Sequence, residues 1–174
     1  MPYRVRAVDP DFDLDPVRTV VASKMQVERN RSVPHGGLRL DGEELELLRV
    51  LVDGVEVTCT VEDGDLLVAA APDADFLLEI RSACAPEKNT ALSGLFVSGS
   101  GLFTHCEAEG FRRITWFLDR PDVMAVLTVA REDGNRFAAG TVRRQEGPAT
   151  TRWPTFAGCV PLARRKLRSN HARP

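Results

Sequence analysis

Four Asp-Gly pairs punctuate this chain, and two of them stand between runs in which apolar and polar residues alternate. The pairs are Asp41-Gly42, Asp53-Gly54, Asp63-Gly64 and Asp133-Gly134. A two-residue hairpin turn of type I′ needs a positive φ at both central residues, which Asp and Gly accept more readily than most residues. The pairs therefore predict antiparallel strands joined by tight turns.

Hydrophobic alternation locates the strands themselves. In residues 17–27 every second position is apolar, β-branched or small, while the charged side chains fall on the other face. Residues 48–52 and 55–61 alternate on either side of Asp53-Gly54, and residues 76–80 alternate again. No segment has a long helical period, so we predict an all-β domain, an antiparallel saddle-like or sandwich fold with its sheet buried on one face.

Charge divides the chain into two parts. The 174 residues suit one domain, and the net charge of −2 hides a strong asymmetry. Residues 1–140 carry 15 Lys and Arg against 24 Asp and Glu, whereas residues 141–174 carry 8 against 1. We predict a β-domain over 1–140 and a basic, irregular tail over 141–174.

The tail allows two interpretations. Its arginines, with Trp153 and Phe156, could contact nucleic acid through phosphates and base stacking. A charged run is more often a solvated chain end, and we favour that interpretation.

Metal-ligating and membrane-spanning features are sparse. The chain has four scattered cysteines and three histidines, and it contains no H-E-x-x-H sequence. We expect reduced thiols and no zinc site in this chain; a site made by His105, Cys106 and Cys84 is the less favoured alternative. The longest apolar run covers only residues 66–71, and no apolar segment follows the basic start. We therefore expect no membrane span, no secretory signal and a cytoplasmic protein.

Residues 89–123 form the least ordinary segment. Glu107 and Glu109 stand beside Cys106, and paired carboxylates can serve acid–base chemistry or hold a cation. The alternative is a solvated acidic loop. Several charged residues that follow, Arg112, Arg113, Asp119, Arg120 and Asp122, have the pattern of surface ion pairs.

Two sequences within this segment closely resemble the bacterial aminopeptidase N family. They are Asn89-Thr90-Ala91-Leu92-Ser93-Gly94-Leu95-Phe96 and the run from Cys106-Glu107-Ala108-Glu109-Gly110-Phe111-Arg112 through Phe117-Leu118-Asp119-Arg120-Pro121-Asp122-Val123. The resemblance covers about residues 10–125. It implies the family's amino-terminal β-domain, which caps a zinc domain whose ligands lie in H-E-x-x-H and a distal Glu.

The resemblance also implies one binding role. Glu107 matches the family's Glu that holds the free α-ammonium of a peptide substrate, and His105 stands where the family usually has a Gln lining the pocket for the first side chain. Ser93 likewise stands where bacterial members usually have Glu. Zinc would belong to the catalytic domain that this sequence does not contain.

We therefore expect a truncated form or domain of a zinc aminopeptidase, which binds a peptide amino terminus only together with a catalytic domain and is inactive alone. The alternative is a non-catalytic β-sandwich module that binds a protein partner or a second copy through an exposed face.

Overall fold

The computed structural model describes residues 1–99, 101–106, 109–128 and 160–164. Twelve strands are present in this part of the chain: β1 Tyr3–Asp13, β2 Thr19–Arg29, β3 Leu38–Leu40, β4 Glu46–Val52, β5 Val55–Glu56, β6 Thr60–Glu62, β7 Asp65–Val68, β8 Phe76–Cys84, β9 Gly94–Ser98, β10 Gly101–His105, β11 Val126–Leu127 and β12 Val160–Arg164. Two three-residue 3₁₀ helices, Pro86–Lys88 and Phe111–Arg113, complete the described elements. The all-β prediction is confirmed.

The strands form three sheets. Sheet A has the order β11-β1-β2-β8-β4-β5, sheet B the order β3-β7-β6, and sheet C the order β12-β10-β9. The pairs are antiparallel, except that β11 runs parallel to β1. None of the described helices is long and apolar enough to cross a bilayer.

The faces of the long strands follow the sequence pattern. In β2 the alternate residues from Thr19 to Val27 are buried, as the period of two predicts, and Arg29 continues the buried row. Val17 belongs to the same predicted face, yet it is 61% exposed because it lies in the loop before the strand.

Two Asp-Gly turns have the predicted backbone. Asp53 and Gly54 have φ of 49° and 80°, and Asp63 and Gly64 have φ of 52° and 91°. Each pair joins neighbouring antiparallel strands, β4 to β5 and β6 to β7. Positive φ at both central residues is the requirement of the type I′ hairpin.

The predicted strand over residues 55–61 is divided between two sheets. Only Val55–Glu56 pairs with β4, in sheet A, whereas Thr60–Glu62 pairs with β7, in sheet B. Alternation fixes which residues share a face, but it does not fix the neighbouring strand. The chain changes sheets between Glu56 and Thr60.

Asp41-Gly42 has another role. Asp41 forms an isolated antiparallel bridge with Phe117. A Cβ on Gly42 would lie 2.1 Å from Trp116 Nε1 and 2.6 Å from the Gly64 carbonyl oxygen. Gly42 is therefore required for close packing, while the positive φ in this loop belongs to Glu44.

Two apolar clusters fill the interior, and we call them the large and the small cluster. The large cluster lies between sheets A and B and contains Tyr3, Val5, Val8, Met25, Val27, Leu38, Leu40, Val50, Val52, Leu66, Val68, Ala71, Phe76, Leu78, Ile80, Trp116, Phe117 and Leu118. The small cluster joins one end of sheet A to sheet C and contains Phe12, Val21, Cys84, Leu95, Leu102 and Ile114.

Candidate functional site

The two sequences that carry the family resemblance lie side by side in the fold. Strands β9 and β10 are antiparallel neighbours, and His105 at the end of β10 pairs with Gly94 at the start of β9. The segment that begins at Asn89 therefore ends next to the segment that contains Cys106. The paired strands β9 and β10 position this candidate site.

Asn89 fixes the loop that leads into β9. Its Nδ2 donates hydrogen bonds to the carbonyl oxygens of Ser93 and Leu95, at 2.7 and 2.9 Å. Its Oδ1 accepts a hydrogen bond from the backbone N–H of Ala91 at 3.2 Å. These three hydrogen bonds of the Asn89 side chain stabilise the loop. Within it Leu92 has a φ of 53°, a conformation that costs free energy for a non-glycine residue.

Two glycines allow this loop to approach the segment after β10. Gly94 has a φ of 76°, and a Cβ on it would lie 2.5 Å from the Arg113 Cβ. A Cβ on Gly110 would lie 2.5 Å from Ser93 Oγ and 3.0 Å from the Cys106 Cα. Any larger side chain at either position would require the neighbouring segment to move.

The structure places one of the two predicted site residues. His105 is half-buried at the carboxyl end of β10. Glu107 lies outside the described residues, as does Ala108, so its proximity to His105 stays a prediction. The described residues on either side of them are Cys106 and Glu109.

Cys106 is a neutral thiol in this environment. Burial raises the pKa of Cys106 to about 12, and the negative charge of Asp119 acts in the same direction. Because the thiolate is the form that attacks electrophiles and binds metals, Cys106 fits a packing role. Among the described residues, no group of three or more His, Cys, Asp or Glu side chains could hold a metal ion. The described residues therefore do not fit a zinc site.

Glu109, the second carboxylate of the motif, forms an ion pair with Arg112 Nη2. Arg112 also donates to Asp119 Oδ2 from its backbone N–H and from Nε, each at 3.1 Å. The backbone N–H of Asp119 donates in turn to Asp41 Oδ2 at 2.9 Å. We call Glu109, Arg112, Asp119 and Asp41 the ion-pair network.

The ion-pair network is partly buried, which distinguishes it from the surface pairs that the sequence predicts. The side chains of Arg112 and Asp119 are 26% and 11% exposed. Burial raises the pKa of Asp119 above its usual value, while its hydrogen bond and charge contact with Arg112 oppose that effect. Of the five residues expected in surface pairs, Arg120 and Asp122 pair with each other, with Nε and Oδ1 2.9 Å apart, and Arg113 pairs with the exposed Glu43 and Glu44. The pair of Arg112 with Asp119 departs from the prediction because it is partly buried.

A second arginine attaches the same segment to the loop after β3. Arg113 pairs with Glu43 and Glu44, with Nη1 2.7 Å from Glu44 Oε2. The backbone N–H of Glu43 donates to the Arg112 carbonyl oxygen at 3.0 Å. No periodicity in the sequence relates residues 41–44 to residues 112–119. These contacts could therefore not be predicted from the sequence.

Comparisons with known proteins identify the family of this chain. No protein-family model matches the chain. Proteins named aminopeptidase N from Escherichia coli, Caulobacter vibrioides and Haemophilus influenzae are 40%, 39% and 36% identical over 79%, 78% and 87% of this chain. The chain spans only 17%, 16% and 19% of those relatives.

Solved structures with a similar fold are also aminopeptidases or zinc metallopeptidases. Aminopeptidase A from Legionella pneumophila, in complex with aspartic acid, matches 75% of this chain and 16% of its own, with a TM-score of 0.68 and 26% identity. An M1 zinc metallopeptidase from Deinococcus radiodurans shares the fold over 75% of this chain and 32% of its own, with a TM-score of 0.64 and 17% identity. The chain therefore belongs to the bacterial aminopeptidase N family, in which it corresponds to the amino-terminal β-domain.

Proposed function

We propose that this chain is the capping β-domain of a zinc metallo-aminopeptidase and that it supplies part of the subsite for the free α-amine of a peptide. The observation that carries the proposal is the 36–40% identity to proteins named aminopeptidase N. In this proposal the zinc ligands belong to a separate catalytic domain, and this chain contributes only to peptide binding.

In this proposal Glu107 binds the α-ammonium group. Burying a charged amine costs several kcal/mol, and a charge-assisted hydrogen bond that the ammonium group donates to a carboxylate offsets part of that cost. A hydrogen bond to a charged group contributes about 1.5–3 kcal/mol. His105, two residues earlier at the end of β10, would contact the first side chain of the peptide.

The surroundings of Glu107 support a binding role. On one side Cys106 follows a paired strand, and on the other Glu109 is held by Arg112. Gly110 packs against the backbone of Cys106 and against Ser93. The residues on both sides of Glu107-Ala108 are therefore held by neighbouring segments. Such support suits a residue that must fix the position of a substrate.

The test is reconstitution of activity in two parts. This chain is co-expressed with an Escherichia coli aminopeptidase N lacking its matching amino-terminal segment, and hydrolysis of an aminoacyl anilide is measured. We expect activity from the mixture and none from this chain with zinc alone. Absence of activity in a mixture that forms a complex would reject the capping role.

Point variants test the amine subsite separately. Glu107→Ala should lower kcat/KM of the mixture by roughly 10- to 150-fold, which corresponds to losing about 1.5–3 kcal/mol. Asp122→Ala is the matched control, because Asp122 is an exposed carboxylate outside the residues that flank Glu107-Ala108, and it pairs with Arg120. An unchanged kcat/KM for Glu107→Ala would remove the proposed anchor while leaving the capping role intact.

A second candidate function is a non-catalytic module that binds a protein partner or a second copy. It is favoured by exposed apolar side chains: Val17, Val55 and Leu92 are 61%, 66% and 55% exposed. Light scattering over a concentration series tests self-association. A monomer at all concentrations that also restores activity in the mixture would decide for the first function.

A further inference from the structure

Strand β10 has two hydrogen-bonding edges, and they differ in what covers them. The inner edge pairs with β9 through the local hairpin, from Gly101↔Ser98 to His105↔Gly94. The outer edge pairs with β12, a strand that follows far along the chain, from Gly101↔Arg164 to Thr104↔Val160. The outer pairing ends one residue before His105.

The pairing between β10 and β12 is interrupted by a proline and a register shift. Pro161 lies opposite Phe103 and has no backbone N–H to donate. The register shifts between Leu102 and Phe103, so Leu162 has no partner residue on β10. Proline and bulges are typical of edge strands whose pairing is weak or interrupted.

An edge such as this one binds extended segments. A strand edge presents unpaired N–H and C=O groups, and an extended peptide satisfies them by adding a strand. Such binding depends on the main chain more than on the side chains, so a short segment of unrelated sequence can serve. We propose that the outer edge of β10 is a strand-docking site for an extended segment, and that this chain fills it with its own residues Val160–Arg164.

The pairing of β12 with β10 gives part of the predicted tail a structural role. Five of its residues complete sheet C beside the candidate site, rather than belonging to an appendage without contacts. The docked segment lies along the strand that ends at His105, so it also supports the backbone that carries this residue. The inference does not depend on the proposed enzymatic function, because it concerns main-chain pairing alone.

Amide hydrogen exchange of the full chain tests the proposal. Ala163→Pro removes one more backbone N–H from β12, and Ser169→Pro, which lies beyond the strand, is the matched control. We expect Ala163→Pro to accelerate exchange within residues 101–104 by about tenfold or more, because local opening exposes those amides. Exchange of β9 should stay slow in both variants, since its pairing with β10 is untouched.

The docking part of the proposal is tested by adding a strand in trans. A synthetic peptide of residues 158–166, in excess over the Ala163→Pro chain, should restore slow exchange in residues 101–104, whereas the same peptide with Ala163→Pro should not. Unchanged exchange in the Ala163→Pro chain, or accelerated exchange that the peptide does not reverse, would overturn the proposal.

A chain truncated after residue 159 guards against general unfolding. If it melts cooperatively, as followed by circular dichroism, the peptide experiment is repeated on it with the same expected result. Loss of cooperative folding in both the truncated and the Ala163→Pro chains would show that β12 is an integral part of the core. That outcome would also reject a docking site.

Discussion

The two apolar clusters of this domain differ mainly in size. The large cluster holds eighteen buried side chains between sheets A and B, and a fully buried Val, Leu, Ile, Phe or Met side chain contributes about 1.5–3 kcal/mol. The small cluster beneath the candidate site holds six. Polar contacts border both clusters: Arg29 pairs with Asp73 beside Tyr3 of the large cluster, and Asn89 holds the loop before β9. The difference indicates that the scaffold buries far more apolar surface than the region beneath the candidate site.

The largest effect is expected from removing a side chain of the large cluster. Trp116 is 1% exposed, and its Nε1 donates to the Gly64 carbonyl oxygen at 2.8 Å. Trp116→Ala should lower the free energy of unfolding by about 3–5 kcal/mol. Urea denaturation measures the change.

A matched pair of substitutions compares the two clusters. Ile80→Val in the large cluster and Ile114→Val in the small cluster each remove one methyl group from a fully buried side chain, and each should cost about 0.5–1.5 kcal/mol. We expect the larger loss for Ile80→Val, and a larger loss for Ile114→Val would contradict the contrast between the clusters.

An intermediate effect is expected at the ion-pair network. Asp119→Ala leaves the backbone N–H and Nε of Arg112 without their acceptor, so we expect a loss of about 1–3 kcal/mol. Asp122→Ala removes an exposed carboxylate that also pairs with an arginine, and it should change stability by less than about 0.5 kcal/mol. If the two variants lose the same free energy of unfolding, the ion-pair network contributes no more to stability than a surface pair.

A smaller effect distinguishes two buried serines at the boundary of the clusters. Ser23 Oγ lies 2.9 Å from Thr115 Oγ1, whereas Ser82 Oγ is buried without a hydrogen-bond partner among the described residues. Ser23→Ala should cost about 0.5–1.5 kcal/mol. Ser82→Ala should be neutral or stabilising, because it removes an unsatisfied polar group. Thermal melting of the two variants decides whether their effects differ as expected.

The smallest effect concerns pH. Since the pKa of Asp119 is raised in the folded chain, its protonated form favours folding. That contribution is complete below the unfolded-state pKa and is lost as the pH rises through the folded-state pKa. Relative to Asp119→Asn, the unsubstituted chain should therefore lose stability as the pH rises from acid to neutral. A difference between the two chains that does not vary with pH would contradict the raised pKa.

The sequence predicted those features that depend on local pattern. The buried faces of β2 and β8 follow from a period of two, and the turns at Asp53-Gly54 and Asp63-Gly64 follow from the φ values that these residues accept. The family assignment followed from residues 89–123, and the comparisons confirm it. The role of Glu107 stays a prediction, and so does the boundary at residue 140.

Other features could not be predicted because they depend on contacts between distant segments. Residues 55–61 alternate as one strand, yet their two ends join different sheets. Arg112 and Asp119 have the residue types of a surface pair, yet both side chains are largely buried, and the loop after β3 bonds to the Arg112 backbone. A five-residue strand with a proline inside a basic tail gives no local signal for β12.

The sequence by itself determined the strand faces, two turns and the family, because each depends on neighbouring residues or on a long matching segment. Only the tertiary structure decided that Gly42 serves packing against Trp116, that Arg113 pairs with Glu43 and Glu44, and that Val160–Arg164 covers the outer edge of β10. Each of these contacts joins residues that no local period relates. Their partners are therefore set by the way the sheets pack, which the neighbouring residues in the sequence do not specify.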